Sequence, residues 1–155
     1  MARINLTKNQ IRNPAKHSAR DAIFAKLAEH DAALDAIEAA TLGVYKAPCR
    51  VATVADIPVL GLASVIIDGV TLVQNDRVLV KDQTSGALNG IYVVGTVNLG
   101  IAALTRAVDM NVSAEVKAGM IVPVTEGTVN GDVEFKLTTN DPIVLGTTAL
   151  VFALV

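Results

Sequence analysis

The sequence has no tryptophan, one cysteine, two histidines and only 3 % aromatic residues. Each scarcity closes off a class of function. So few rings supply no stacking platform of the kind that sugar-binding and base-binding surfaces use. Cys49 stands alone, so an intrachain disulfide is impossible, and with no CxxC or His-rich company a structural zinc site is not expected. Its expected place is as a small buried hydrophobe. His17 and His30 are the sole imidazoles and both precede the β-rich remainder, so a Ser-His-Asp or Cys-His site would have to be built across separate segments.

An excess of positive charge is also missing. Lys+Arg number 13 against 15 Asp+Glu, for a net charge of −2, so nothing general attracts a phosphate backbone and nucleic acid is not an expected partner. Long apolar runs are absent as well. Crossing a bilayer takes roughly 18 consecutive apolar residues, whereas Pro58, Gly61 and Ser64 interrupt Ile57 to Ile67, and Gly146, Thr147 and Thr148 interrupt Ile143 to Val155. Both stretches read as buried strands, and no membrane partner is expected. The opening MARINLTKNQIRNPAKH lacks the apolar region of a secretory signal, which implies synthesis in the cytosol and retention there or release by lysis.

What is present is aliphatic mass. Hydrophobic residues make up 52 % of the 155 and charged residues 18 %, with a mean hydropathy of +0.48. Such a chain can fill a core, and its length suits one domain with a short appendage.

Charge and periodicity divide the chain into three parts. Residues 1–17 carry Arg3, Lys8, Arg12 and Lys16 with no acid and no clear period, which predicts a basic extended arm. Ser18-Ala-Arg-Asp21 has the form of a helix N-terminal box, predicting a helix over 18–42 with Gly43 as its stop. Within it Ile23, Leu27, Leu34 and Ile37 follow a heptad pattern, with His30 at the intervening core position. A helix of this length is marginal alone, so self-association through Ile23, Leu27, His30, Leu34 and Ile37 is expected, the alternative being that the stripe packs on the chain's own sheet. His30 would then set the alignment of the seam or lie at its edge.

From 43 to 155 the grammar is that of strands. Candidates are Arg50–Val54, Ser64–Ile67, Arg77–Lys81, Ile91–Val97, Ile101–Ala107, Met120–Thr125, Val133–Thr138 and Ala149–Leu154. The uniformly apolar Ile91 to Val94 predicts a central strand, and the alternating Val133 to Leu137 a strand with one wet face. Asp68-Gly69, Asn89-Gly90 and Asn130-Gly131 suit tight turns, with hairpins expected at some of them. The predicted fold is mainly β, a small antiparallel sandwich or barrel preceded by an N-terminal α-helix.

No constellation in this part points to catalysis. Asp76, Asp82, Asp132 and Glu134 are dispersed and match no calcium loop, and Gly69, Gly86, Gly90 and Gly95 form no phosphate cradle. Tyr45, Tyr92, Phe135 and Phe152 read as packing residues. The chain is expected to be no enzyme and to need no cofactor and no metal. Asp76 is expected to cap a turn, and Arg77 to pair with an acid such as Asp82 or Asp109.

Ile67-Asp-Gly-Val70, Asn75-Asp-Arg-Val-Leu-Val-Lys-Asp-Gln83 and Asn89-Gly-Ile-Tyr-Val-Val94 together form a specific pattern. It resembles a β-domain that recurs in structural proteins of tailed bacteriophages, commonly in tail fibres and other virion appendages. Thr105-Arg-Ala107 with Asp109, Glu126-Gly-Thr128 with Asn130, and Leu145-Gly-Thr-Thr-Ala149 continue the resemblance in order over roughly residues 48–153. Asn75 stands where the pattern usually has glycine, and Leu104 where an aromatic often precedes Thr105.

The resemblance implies a structural protein of a tailed-phage virion, made in the host bacterial cytoplasm and placed on the particle surface. It also implies threefold assembly, hence a homotrimer, with phage capsid or tail proteins as the other partners. A capsid decoration (cement) or head-fibre-base protein is the preferred reading, because 155 residues leave no room for a fibre's long shaft and distal tip. The alternatives are a short tail-fibre or baseplate component holding a longer fibre, and a host-glycan-binding module. Arg3, Ile4, Leu6, Lys8, Ile11 and Arg12 are the residues expected to anchor the chain to the virion, since a basic arm beside a domain of seven bases and ten acids suits docking on an acidic surface.

Overall fold

The structure, a computed structural model, describes residues 14–59 and 61–155, and within the helix it describes the side chains of residues 18 and 20–34. The chain divides into two compact units, Met1–Thr41 and Leu42–Val155.

Helix α1 runs from Pro14 to Val44, 31 residues, or about 46 Å at the α-helical rise. It begins four residues before the expected Ser18. Proline is favoured in the first helical turn, where its fixed φ suits the helix and its missing N–H is not needed, and Ala15 and Lys16 are good helix formers. Ser18 and Asp21 therefore lie inside the helix and do not form its cap. Residues 14–17, read from sequence as the end of the arm, are helical, while Arg3, Ile4, Leu6, Lys8, Ile11 and Arg12 lie outside the described residues. At the other end the helix passes through Gly43 to Val44.

The second unit is built from ten short strands. They are β1 (Val51–Ala52), β2 (Leu62–Ser64), β3 (Ile66–Ile67), β4 (Val70–Thr71), β5 (Arg77–Val80), β6 (Gly90–Val94), β7 (Ile101–Arg106), β8 (Ile121–Val124), β9 (Val133–Leu137) and β10 (Phe152–Leu154). A five-stranded sheet has the order β1-β5-β6-β7-β2, a three-stranded sheet the order β10-β9-β8, and β3 and β4 form a separate pair. The fold is mainly β with a preceding helix. Among the named strands all pairings but one are antiparallel; β1 and β5 run parallel, Val51 beside Val78 and Ala52 beside Leu79, and isolated parallel bridges join Tyr45 to Ile121 and Cys49 to Val124. The intervening residues 53–76 supply the long crossover that a parallel pair requires.

Strand β6 occupies the middle of the five-stranded sheet, and its two faces feed different cores. On one side Leu79 and Ile91 pack with Val122, Val124, Phe135 and Leu137 of the three-stranded sheet and with Met110, Met120 and Leu150. On the other, Val78, Val80, Tyr92 and Val94 pack with Val59, Val65, Ile67 and Leu72. A sheet covered on both faces needs apolar residues at successive positions, which is why Ile91 to Val94 shows no alternation. In β9, Phe135 and Leu137 are buried while Lys136 is exposed, as one wet face requires.

Of the three dipeptides suited to tight turns, one forms a two-residue hairpin, in line with the expectation of hairpins at some of them. Asp68 and Gly69 join β3 to β4 with φ of 48° and 78°, the pair of positive values that a two-residue hairpin turn of this twist needs. Asn89 instead follows a 3₁₀ turn at Gly86–Leu88 with extended backbone, and Gly90 is the first residue of β6. Asn130-Gly131 belongs to the longer connection over 125–132. The predicted strand Ser64–Ile67 is two strands, because Val65 leaves the ladder: its N–H donates to Gly100 O and its carbonyl accepts from Leu72 N.

Candidate functional site

The segments around Asp68, Asp76, Asn89 and Asn130 are bonded to one another through polar side chains. Asp68 is the clearest case. Its carbonyl accepts the Thr128 N–H at 2.9 Å, Oδ1 accepts Val129 N–H at 2.9 Å and Oδ2 accepts Asn130 N–H at 2.8 Å. Asn130 in turn donates from Nδ2 to Thr53 O. The Ile67–Val70 hairpin is thereby tied to the Glu126–Asn130 loop, and both to the end of β1.

Asp76 Oδ2 accepts Val73 N–H at 2.7 Å, closing the turn before β5, and also accepts Arg50 Nη1 at 2.7 Å. Arg50 Nε donates to Glu126 Oε1 at 3.0 Å. The hydrogen bonds to Glu126 and Asp76 hold the Arg50 guanidinium above its ordinary pKa. Arg77 grips Asp109 with two parallel bonds of 3.1 and 2.9 Å, a fork geometry that lysine cannot supply. Of the two acids named from sequence, Asp109 is therefore the partner. Asp82 takes Lys81 and Thr53 Oγ1 instead.

Asn89 is buried and spends its amide at a distance: Oδ1 accepts Gln83 N–H and Nδ2 donates to Leu150 O. Arg106 crosses the same turn, donating to Asn89 O and Ala87 O while its guanidinium lies 5.0 Å from the Tyr92 ring centroid. Asn75 has φ of 73°. That left-handed backbone favours glycine, and asparagine is among the few other residues that tolerate it. Sequence spacing carries no sign of Arg50 as a hub, since its partners Asp76 and Glu126 lie far along the chain.

Cys49 is fully buried, and burial pushes its thiol up to about 12, so it stays protonated at neutral pH. Burial also raises the Tyr92 phenol, whose OH donates to Leu88 O at 2.7 Å. Among the described residues no group of three His, Cys, Asp or Glu side chains is placed to hold a metal ion. His17 and His30 lie on α1.

The second feature is the helix surface. Every described side chain of α1 is exposed, including Ile23 at 59 %, Leu27 at 53 % and Leu34 at 59 %. These values are those of an uncovered stripe. His30 is exposed among Lys26, Glu29 and Ala33, which line a shallow depression with it, and Lys26 Nζ bonds Glu29 Oε2 at 2.9 Å. The Ile37 side chain lies outside the described ones. Phe24, 60 % exposed and with Arg20 5.9 Å from its ring centroid, widens the apolar surface beside Ile23. A heptad reading of core positions alone passes over it. Comparison with protein families, with curated proteins and with solved structures returns no match.

Proposed function

We propose that this chain is a non-enzymatic structural protein of a tailed-phage virion, a homotrimer that decorates the capsid or forms the base of a head fibre. The observation that carries the reading is the fate of the resembling residues. Asp68, Asp76, Arg77, Asn89, Arg106, Asp109 and Asn130 all hold one loop to another, so what this chain shares with phage appendage domains is the means of keeping a surface domain rigid. The uncovered apolar stripe of α1 supplies the contact between copies. The four-base arm supplies the contact with the particle.

Antibody against residues 43–155 should label intact virions on the head. Labelling confined to the tail or baseplate would move the protein to a fibre-holding role, and no labelling of intact or disrupted particles would overturn the virion assignment. Anchoring by the arm has its own test. Protein lacking residues 1–13 should stay trimeric yet fail to rebind particles stripped of the native protein, and full rebinding of the truncated form would refute the role of Arg3, Ile4, Leu6, Lys8, Ile11 and Arg12.

A further inference from the structure

We infer that the α1 helices of separate copies associate parallel and unstaggered, with Lys26 of each chain paired to Asp31 of its neighbour. The inference rests on the self-association reading above and adds the charge pair that holds its register. If Ile23, Leu27, His30, Leu34 and Ile37 alternate between the two core positions of a heptad, Lys26 falls at the flanking position just before one core layer, and Asp31 at the flanking position just after the next. In a parallel bundle these two positions, five residues apart, face each other across the interface. In an antiparallel bundle each flanking class meets its own kind, so Lys26 and Asp31 never meet.

The other flanking residues raise no objection to the parallel choice. In this register the flanking positions 19 and 24, and 33 and 38, bring no like charges together. Lys26 and Asp31 are both solvent-exposed in the single chain, free to turn toward a neighbour, and Lys26 keeps Glu29 as an intrahelical partner one turn away. Five residues apart on one helix they point in different directions, so any coupling measured between them arises between chains. An exposed ion pair adds little affinity, but it decides between orientations whose apolar seams are equal. Parallel helices gather every N-terminal arm at one end of the bundle, where they could engage one surface together.

Two substitutions made separately, Ile23→Cys and Leu34→Cys, test the direction in the full-length protein. In a parallel unstaggered bundle each cysteine meets its own copy, and oxidation should join chains through either position. In an antiparallel bundle centred on His30, two residues at 23 would lie about 20 Å apart along the axis. The native thiol at Cys49 is fully buried and stays out of the reaction. Charge exchange tests the pair: Lys26→Asp and Asp31→Lys should each weaken association about tenfold, and the double variant should recover it to within about threefold. Cross-linking at both positions with recovery in the double variant supports the proposal. An oligomeric protein that cross-links at one position or neither overturns the parallel arrangement and with it the threefold assembly, and a double variant as weak as the singles overturns the Lys26–Asp31 pair. A monomeric unmodified chain overturns the self-association beneath it.

Discussion

Replacing Leu27 and Leu34 together by aspartate should reduce the protein from about three times 16.1 kDa to a single 16.1 kDa chain at micromolar concentration, as read by light scattering. Both leucines are more than half exposed in the single chain, so association is what removes them from water. Burying a leucine contributes roughly 1.5–3 kcal/mol, and each of two core layers would lose that from every copy. Aspartate goes further by bringing like charges together at each layer. A loss of 4 kcal/mol or more, about a thousandfold in association, is the expected scale. Neither β-domain core contains a residue of the described helix, so the strand signal in circular dichroism and its thermal transition should stay. An unmodified chain that is monomeric, or a double variant that remains trimeric, would remove the helix from its assigned role.

The second large effect is expected at Asp68. Its carboxylate accepts two backbone N–H groups, that of Asn130 in a buried position, and its own φ is 48°. Alanine removes both acceptors and is poorly suited to a left-handed backbone. Orphaned amides cost about 1–3 kcal/mol each where water cannot replace the partner, and the backbone adds about 1 kcal/mol. Asp68→Ala should therefore destabilise the β-domain by about 3–5 kcal/mol, lowering its melting temperature by roughly 10–20 °C. Asp68→Asn keeps one acceptor and tolerates the turn, so its loss should be about half as large. Hydrogen exchange gives the local readout: the Val129 and Asn130 amides should lose protection first. A melting temperature within about 3 °C of the parent would show that the loop is held by other means.

Strand positions were legible because apolar β-branched runs between turn residues have few other readings. Ile91 to Val94 announced a central strand, and Val133 to Leu137 a half-wet one, through side-chain order alone. The parallel partnership of Val51 with Val78 left no such trace, since it depends on where a long crossover returns. Pro14 was a start signal obscured by the more familiar box at Ser18.

Asn89 and Asn130 show what dipeptide signals leave out. An Asn-Gly pair marks backbone able to turn, but here each asparagine amide reaches a carbonyl distant in sequence, Leu150 or Thr53, and those bonds set the local path. The same distance hid the Arg50 hub. On the helix the stripe was visible through its period, whereas Phe24 lay one position outside it.

The double-sided burial of β6 also bears on strand register. Where one face of a strand is wet, a slip of one residue sends apolar groups into solvent and is rejected. Here Ile91 and Val93 serve one core and Tyr92 and Val94 the other, so a slip would exchange one apolar pair for another with no such penalty. Alignment must come from groups that do not commute. Gly90 is one, because φ of 146° and the closeness of Arg106 and Met110 leave its place in the ladder to a residue without a side chain. The Tyr92 hydroxyl bonded to Leu88 O and the Asn89 amide bonded to Leu150 O are the others. The doubly covered central strand thus takes its position from the polar residues at its threshold.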